Sequence, residues 1–300
     1  MLLKQRIPIS YIFSLVKFKL LLVVLIAGGI SYFDGFFEAW GVEFPIVPDW
    51  LPGVLGTLIT LVLAFRMNQS YDRWWEARKV WGAIVNDSRS LIREVSFLRS
   101  KKSDSILHLK FKEQIIELLV LWLHSLKTRL RNGLEKEYYA KAAELGVHNS
   151  PNLPNAILHK MEMLISEAFS NDSINEYQQL QITKTLNNLN DGMGKCERIK
   201  GTVFPKLYSD TIDFTIWFFV IIFPLSFRDP NDYVEFPVVV ILSMVFLILE
   251  KLAINLQDPF ENTPTDVPLD TIVYNIEVFA NEVLGKEKPE AIPDKTFYQV

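Results

Sequence analysis

Apolar and charged positions are unevenly distributed along this chain. Four runs contain no Asp, Glu, Lys or Arg at all, and they cover residues 20–32, 50–65, 214–227 and 236–249. A helix that crosses a bilayer needs about 20 residues at 1.5 Å per residue, so each run is short by itself. Trp and Phe residues beside the runs are typical of membrane interfaces and extend them. The pattern predicts four membrane helices, at approximately 20–40, 47–67, 212–228 and 234–252.

Between the second and third runs, charged residues are interspersed with apolar ones at the spacing of amphipathic helices. The segment Arg66–Leu98 has no Pro and a single Gly, so we expect one helix that continues directly out of the second run. Further helices are predicted at Lys110–Leu130, Ala156–Phe169 and Ser173–Leu189, the last ending near a turn at Asp191–Gly194. No stretch alternates with the period of a strand, and the predicted fold class is all-α.

Basic residues mark one side of the predicted membrane helices. Residues 1–19 carry four Lys or Arg side chains and no acid, whereas the connection 33–49 carries four acids and no base. Positive residues favour the cytoplasmic side. The pattern predicts a multi-pass protein of the cell inner (plasma) membrane with both termini cytoplasmic, Glu38 and Asp232 external and Asn86 internal. A cleaved signal peptide with Leu20–Ile26 as its apolar core is the alternative for the N-terminus.

Composition narrows the chemistry that the chain can perform. The formal net charge is −4, which gives no global basic field for nucleic acid. The single cysteine, Cys196, excludes an internal disulfide, and the four histidines show no ligand spacing, so neither a metal site nor a cofactor is predicted. A membrane-anchored enzyme would need a converging acid, base or nucleophile, and no motif of that kind stands out in the sequence.

The most specific motif follows the second apolar run, where the chain reads Arg73-Trp74-Trp75-Glu76-Ala77-Arg78. It resembles the bestrophin family, in its bacterial branch, and the segments 195–199 and 258–277 resemble the same family in the same order. The resemblance implies a single bestrophin domain over residues 1–300, with a cytoplasmic helical region at 68–211 and a C-terminal tail at 253–300. It also implies a homopentamer, embedded in membrane lipid, around one central pore.

Two neighbouring stripes of the second run differ in residue size. Small residues at intervals of four let helices approach closely in a bilayer, and they occupy one stripe: Gly56, Thr60 and Ala64. The adjacent stripe, about 100° round the helix, carries Thr57, Leu61 and Phe65. By the residues alone, this second stripe faces lipid, another helix or a pore axis.

The resemblance to bestrophins assigns roles to these positions. It implies that Thr57, Leu61 and Phe65 line the narrow neck of the pore and that Leu180 forms a cytosolic aperture. Thr57 departs from the bulky aliphatic residue that is usual there, which implies a wider or wetter outer neck. A structural network that fixes packing between helices and subunits is expected from Asp72, Arg73, Trp74, Trp75, Glu76, Arg78 and Trp81. Within it, we expect Arg78 to stack on Trp74 and Trp81 through cation–π contacts.

The predicted function is that of a passive channel for small monovalent ions. The family is classed with chloride channels, and its bacterial branch favours cations such as sodium. Animal bestrophins carry consecutive acids after the Pro-Phe pair, whereas this chain has the separated acids Glu261 and Asp266, too few for a tight calcium site. A secondary transporter is the alternative, to which Pro224 inside the third run points. The sequence leaves the sign of the permeant ion and the gating stimulus open, because an uncharged neck selects weakly.

Overall fold

The protein was analysed as a computed structural model, which describes residues 2–3, 8–39, 47–98, 105–133, 136–202, 205–226, 234–291 and 298–299. Within these ranges the chain is almost entirely helical. The α-helices are α1 (Ile9–Ala39), α2 (Leu51–Ser96), α3 (Ser105–Leu130), α4 (Lys136–Glu144), α5 (Leu153–Ser170), α6 (Glu176–Gly201), α7 (Lys206–Ile222), α8 (Glu235–Gln257) and α9 (Leu269–Leu284). A short 3₁₀ helix, Pro224–Ser226, follows α7.

The helices form two compact units. The first, here called the spanning unit, comprises Gln5–Trp74 and Val203–Asp258; the second, the core unit, comprises Met1–Lys4, Trp75–Thr202 and Pro259–Val300. Helix α2 contributes residues to both. Each unit has its own apolar core, which in the spanning unit is centred on Val23, Ile59 and Phe219.

Four helical segments in the described part of the chain have the length and apolar composition that crossing a membrane requires. They are Ser10–Ile30, Leu51–Ser96, Lys206–Ser226 and Phe236–Gln257. Each contains most or all of one of the four uncharged runs. The first of these helices, α1, begins at Ile9, so that Lys17 and Lys19 lie within it rather than before it. By length and composition, the chain has the four candidate spans of a multi-pass membrane protein.

The second of these helices confirms the continuous helix expected from the sequence. Helix α2 is 46 residues long and passes without a break from its apolar beginning to its charged end. The reason is local: after Pro52, Gly53 and Gly56 near its start, α2 contains no further Pro and only one further Gly, Gly82.

The core unit packs α3, α5, α6 and α9 around large buried side chains. Trp81 of α2 and Trp122 of α3 are completely buried there. Two of its helices, α4 and α9, were not foreseen. In α9, Leu269, Val273, Ile276 and Ala280 recur at helical spacing and are all buried, and the helix ends at Gly285, whose φ of 67° is left-handed.

The predicted turn at Asp191–Gly194 is wrong, because α6 runs straight through it to Gly201. Gly192 is buried against α2: a Cβ atom placed on it would lie 2.8 Å from Cγ1 of Ile84. Gly192 therefore allows close helix packing and does not end the helix. The start of α6 is fixed by a capping box, in which Asn175 and Gln178 bond each other's backbone amides at 2.9 Å.

The two ends of the chain pair with each other. Leu2 and Leu3 (β1) form a two-residue antiparallel ladder with Tyr298 and Gln299 (β2). These strands were not predicted, because two residues are too few to show the alternation by which a strand is recognised. The all-α class is otherwise as predicted for the described residues.

Candidate functional site

One side of α2 in the spanning unit is exposed, although the segment is apolar. Leu61 and Phe65 are 54% and 56% exposed, and Thr57 is exposed on the same stripe. The opposite side is packed into the apolar core through Leu55, Ile59 and Leu63. A spanning helix with one packed and one open apolar side needs lipid, another helix or a pore on the open side.

Residues on either side of this stripe are exposed as well. Small residues border it on one edge (Thr60 and Ala64), and apolar ones border it on the other (Val54 and Leu58). The Thr60 hydroxyl donates to the Gly56 carbonyl at 2.8 Å, and the Thr57 hydroxyl donates to the Gly53 carbonyl at 2.8 Å. Because each hydroxyl bonds within the helix, the open side of α2 presents mainly methyl groups and rings.

Gly56 differs from the other small residues of α2. The sequence placed it with Thr60 and Ala64 on a stripe for close approach by another helix. In the structure, a Cβ atom on Gly56 would lie 3.8 Å from the ring of Phe219 and 4.0 Å from that of Phe246. Gly56 therefore faces the aromatic side chains of its own chain, and a larger side chain there would displace them.

Leu180, the expected aperture residue, lies in the second turn of α6 and is 68% exposed. The turn that carries it is bonded to the far end of α2. The Glu94 carboxylate accepts hydrogen bonds from Gln181 at 2.9 Å and from the Thr185 hydroxyl at 2.9 Å. Thr185 is buried, so this contact fixes the orientation of the α6 segment that presents Leu180.

Acidic residues of α2 meet polar residues of α6 along most of the core unit. Besides Glu94, Glu76 forms a short ion pair with Arg198, and Asp87 accepts a hydrogen bond from Asn188 at 3.4 Å. Residue numbers rise along α2 while they fall along α6, so the two helices are antiparallel. This pairing fixes the register of α6 against α2. The packing of Gly192 on Ile84 depends on that register.

The expected Trp and Arg network divides between contacts within the chain and exposed positions. Trp81 is buried in the core unit, and Arg73 donates to the Gln257 carbonyl of α8 at 2.9 Å. Trp74 stacks on Tyr71, with ring centroids 5.9 Å apart. The remaining members have substantial exposure: Asp72, Trp75 and Arg78.

The loop after α8 is closed on itself. The Asp266 carboxylate is buried, and it accepts hydrogen bonds from the Thr263 amide at 2.9 Å and from the Thr263 hydroxyl at 2.6 Å. Glu261 is exposed. In the part of the chain that the structure describes, no three His, Cys, Asp or Glu side chains converge as metal ligands would.

Sequence reasoning missed a cluster of four charged residues in the spanning unit. It is formed by Lys19, Arg66, Asp213 and Glu250, one from each of the four spanning helices. The signal was present in the sequence. Each of these residues directly adjoins one of the four uncharged runs, at the end predicted to be cytoplasmic.

Similarity to known proteins agrees with this architecture. A sequence model described as "Bacterial/Fungal Bestrophin protein" matches residues 5–282. The voltage-dependent anion channel-forming protein YneE of Escherichia coli K12 is 30% identical over 288 residues, which are 95% of this chain and 90% of that protein. A voltage-dependent anion channel-forming protein of Nostoc sp. is 28% identical over 235 residues, 77% of this chain and 75% of that protein.

Solved structures show the same fold. The crystal structure of a bacterial bestrophin homolog from Klebsiella pneumoniae superposes with a TM-score of 0.76 at 25% identity, covering 91% of this chain and 99% of that one. Agreement over nearly the full length includes both the spanning helices and the helices of the core unit. Family and named relatives indicate an ion channel and not an enzyme. By its sequence and its fold, the chain belongs to the bestrophin family.

Proposed function

We propose that this protein is a passive channel for small monovalent ions, formed by five copies of the chain around a central pore. One observation carries the proposal: Thr57, Leu61 and Phe65 form an exposed stripe on a spanning helix whose opposite side is packed into its own bundle. Five such stripes facing one axis would make a narrow apolar neck. A neck of this kind impedes ions by dewetting and by the cost of removing their hydration water.

The borders of the stripe support a ring of α2 helices. Small residues on one edge allow close approach by a neighbouring helix, and the apolar Val54 and Leu58 on the other edge offer it a surface. In a closed ring, each copy would present one edge to the copy on either side and the stripe itself to the axis. Leu180, exposed on a turn that Glu94 holds, is proposed as the second constriction. The exposed Asp72, Trp75 and Arg78 are proposed to contact neighbouring subunits.

The proposed location is the inner membrane, with the core unit and both termini in the cytoplasm. The excess of basic residues in 1–19 and after the second run supports this orientation. The pairing of Leu2 and Leu3 with Tyr298 and Gln299 supports one part of this proposal, that the two termini lie on the same side of the membrane.

We propose a cation such as sodium as the permeant ion. Glu94 lies beside the turn that carries Leu180, and its hydrogen-bond donors Gln181 and Thr185 are neutral, so they bring no positive charge to offset it. Rings of carboxylates favour cations in channels. A chloride-like anion is the second candidate, since the relatives named above are called anion channel-forming proteins.

A reversal potential measured in planar bilayers under a NaCl gradient tests both parts of this proposal. A passive cation channel gives currents that reverse near the sodium equilibrium potential, with no coupling ion required. Glu94→Gln is expected to move the reversal potential toward zero, and Glu162→Gln, an exposed position on α5, serves as the control. Reversal near the chloride potential would assign the channel to anions, and flux that requires a second gradient would identify a carrier instead.

A further inference from the structure

The four charged side chains that adjoin the uncharged runs meet in the spanning unit, and we call them the charged node. Lys19 of α1 lies between two carboxylates: its Nζ is 2.5 Å from Oδ1 of Asp213 on α7 and 3.0 Å from Oε2 of Glu250 on α8. Arg66 of α2 lies 3.8 Å from the other oxygen of Glu250, and it donates to the Ser209 hydroxyl at 3.0 Å. Two positive and two negative groups therefore join all four spanning helices.

The node is buried where burial of charge is costly. The side chains of Arg66 and Glu250 are only 2% and 3% exposed, whereas those of Lys19 and Asp213 are 39% and 41% exposed. Arg66 lies fifteen residues after Leu51 and Glu250 fifteen after Glu235, the first residues of α2 and α8. At 1.5 Å per residue both lie about 22 Å along their helices, at the ends of the apolar runs that are predicted to be cytoplasmic. Ionisable groups inside candidate membrane helices are rare and usually have a function.

The node lies beside the inner end of the proposed neck. Arg66 directly follows Phe65 on α2, so the two side chains point about 100° apart round the helix. While Arg66 is held at Glu250 and Ser209, α2 cannot rotate or slide without separating charges in a medium of low dielectric. The contact that buries Arg66 thereby fixes the direction in which Phe65 points.

We propose that the charged node positions α2 so that Phe65 closes the inner end of the neck. The proposal rests on the proposed function and adds to it four positioning residues that do not line the pore. It predicts that single and paired removal of charges from the node have unequal effects on α2. Removing one charge leaves a buried partner without compensation and releases α2, whereas removing one positive and one negative charge together preserves the balance and disturbs α2 less.

Two readouts on assembled oligomers test this proposal. The first is open probability in bilayers, and the second is the rate at which a thiol reagent modifies the Phe65→Cys variant, which reports the position of residue 65 even without conduction. Glu250→Gln is expected to change each by about five-fold or more. The double variant Lys19→Met with Glu250→Gln is expected to lie closer to wild type than Glu250→Gln does. Lys17→Met is the matched control, because Lys17 is an exposed cation on the same helix whose ammonium lies over the ring of Phe18.

Assembled Glu250→Gln oligomers with wild-type open probability and modification rate would overturn the proposal, and so would a double variant worse than either single one. If Glu250→Gln fails to assemble, Lys19→Met decides by the same criteria, since Lys19 is partly exposed. A wild-type protein that does not conduct at all would refute the proposed function, while the modification rate at residue 65 would still decide the role of the node.

Discussion

At the scale of single residues, Asp270 shows how one carboxylate joins two helices of the core unit. It lies 2.9 Å from Lys127 of α3 and 2.9 Å from Arg131, the residue after α3, and is itself in the first turn of α9. Burial by itself would raise the pKa of the Asp270 carboxyl, but the two cations outweigh burial and hold the pKa below its ordinary value. The pair of ion pairs therefore stabilises the folded core unit at neutral pH.

We predict that Asp270→Asn destabilises the protein by about 2 kcal/mol at pH 7, the usual contribution of hydrogen bonds to a charged group. A lowered pKa means that this stabilisation is present above the unfolded-state value and disappears as the pH falls through the folded-state value. The difference between variant and wild type should thus shrink below about pH 4. Thermal unfolding in detergent across this range measures it. Asp191→Asn, at an exposed position of α6, serves as the matched control.

Asp266 leads to a prediction about calcium. Its carboxylate already accepts two hydrogen bonds from Thr263, and it is buried, so it is poorly placed to bind a cation from solvent. A calcium ion needs six to eight oxygen ligands, usually with several carboxylates. We expect the conductance to change little between a chelator and millimolar calcium. Steep activation by calcium that Asp266→Ala abolishes would contradict this interpretation of the loop.

At the scale of the helices, Gly192 determines how closely α6 can approach α2. A Cβ atom there would overlap Ile84, whereas a Cβ atom on Gly194, two residues further along, would meet nothing within 4 Å. We predict that Gly192→Val destabilises the core unit by about 1–3 kcal/mol through overpacking. Gly194→Val carries the same change in helix propensity and should cost less. Equal losses of thermal stability in the two variants would show that the contact with Ile84 is unimportant.

Helices α2 and α6 show which features could be predicted from the sequence and which could not. Helix α2 was predictable because its apolar and charged positions keep a helical period for 46 residues. Gly192 and Gly194 suggested a turn, which was wrong. Gly192 is needed because Ile84 packs against it, and Ile84 lies more than a hundred residues earlier in the chain. The contact among the four members of the charged node was likewise not predictable, although their positions beside the apolar runs were visible in the sequence. Each of its members adjoins a different apolar run, and only the fold brings the four runs together.

The exposed stripe of α2 was predictable in more detail from the sequence. Intervals of four placed Thr57, Leu61 and Phe65 on one side of α2, and their exposure agrees with that placement. The direction of Gly56 was not predictable, because it depends on where Phe219 and Phe246 lie. The function of the stripe stays a prediction, since it depends on other copies of the chain.

At the scale of the whole molecule, the orientation in the membrane can be tested by cysteine labelling from either side. We predict external labelling at positions 38 and 232 and internal labelling at position 86. The side chain of Glu38 and all of Asp232 lie outside the described residues, and Asn86 is exposed on α2. The native Cys196 need not be replaced. It is buried, and burial together with Glu197 and Glu76 raises the pKa of its thiol to about 12, so it stays unreactive. External labelling at position 86 would contradict the predicted orientation of the protein in the membrane.

The central claim is that the exposed stripe of α2 is the narrowest apolar part of an ion pathway. Single-channel recording of wild type, Leu61→Ala and Phe65→Ala in planar bilayers tests it most directly. Both variants are expected to pass several-fold more current or to open more often, because a smaller side chain widens and hydrates the neck. Leu22→Ala, on an exposed position of α1, controls for loss of a leucine elsewhere in the membrane. Unchanged conduction in correctly assembled Leu61→Ala and Phe65→Ala oligomers would contradict the claim and place the pore on another surface.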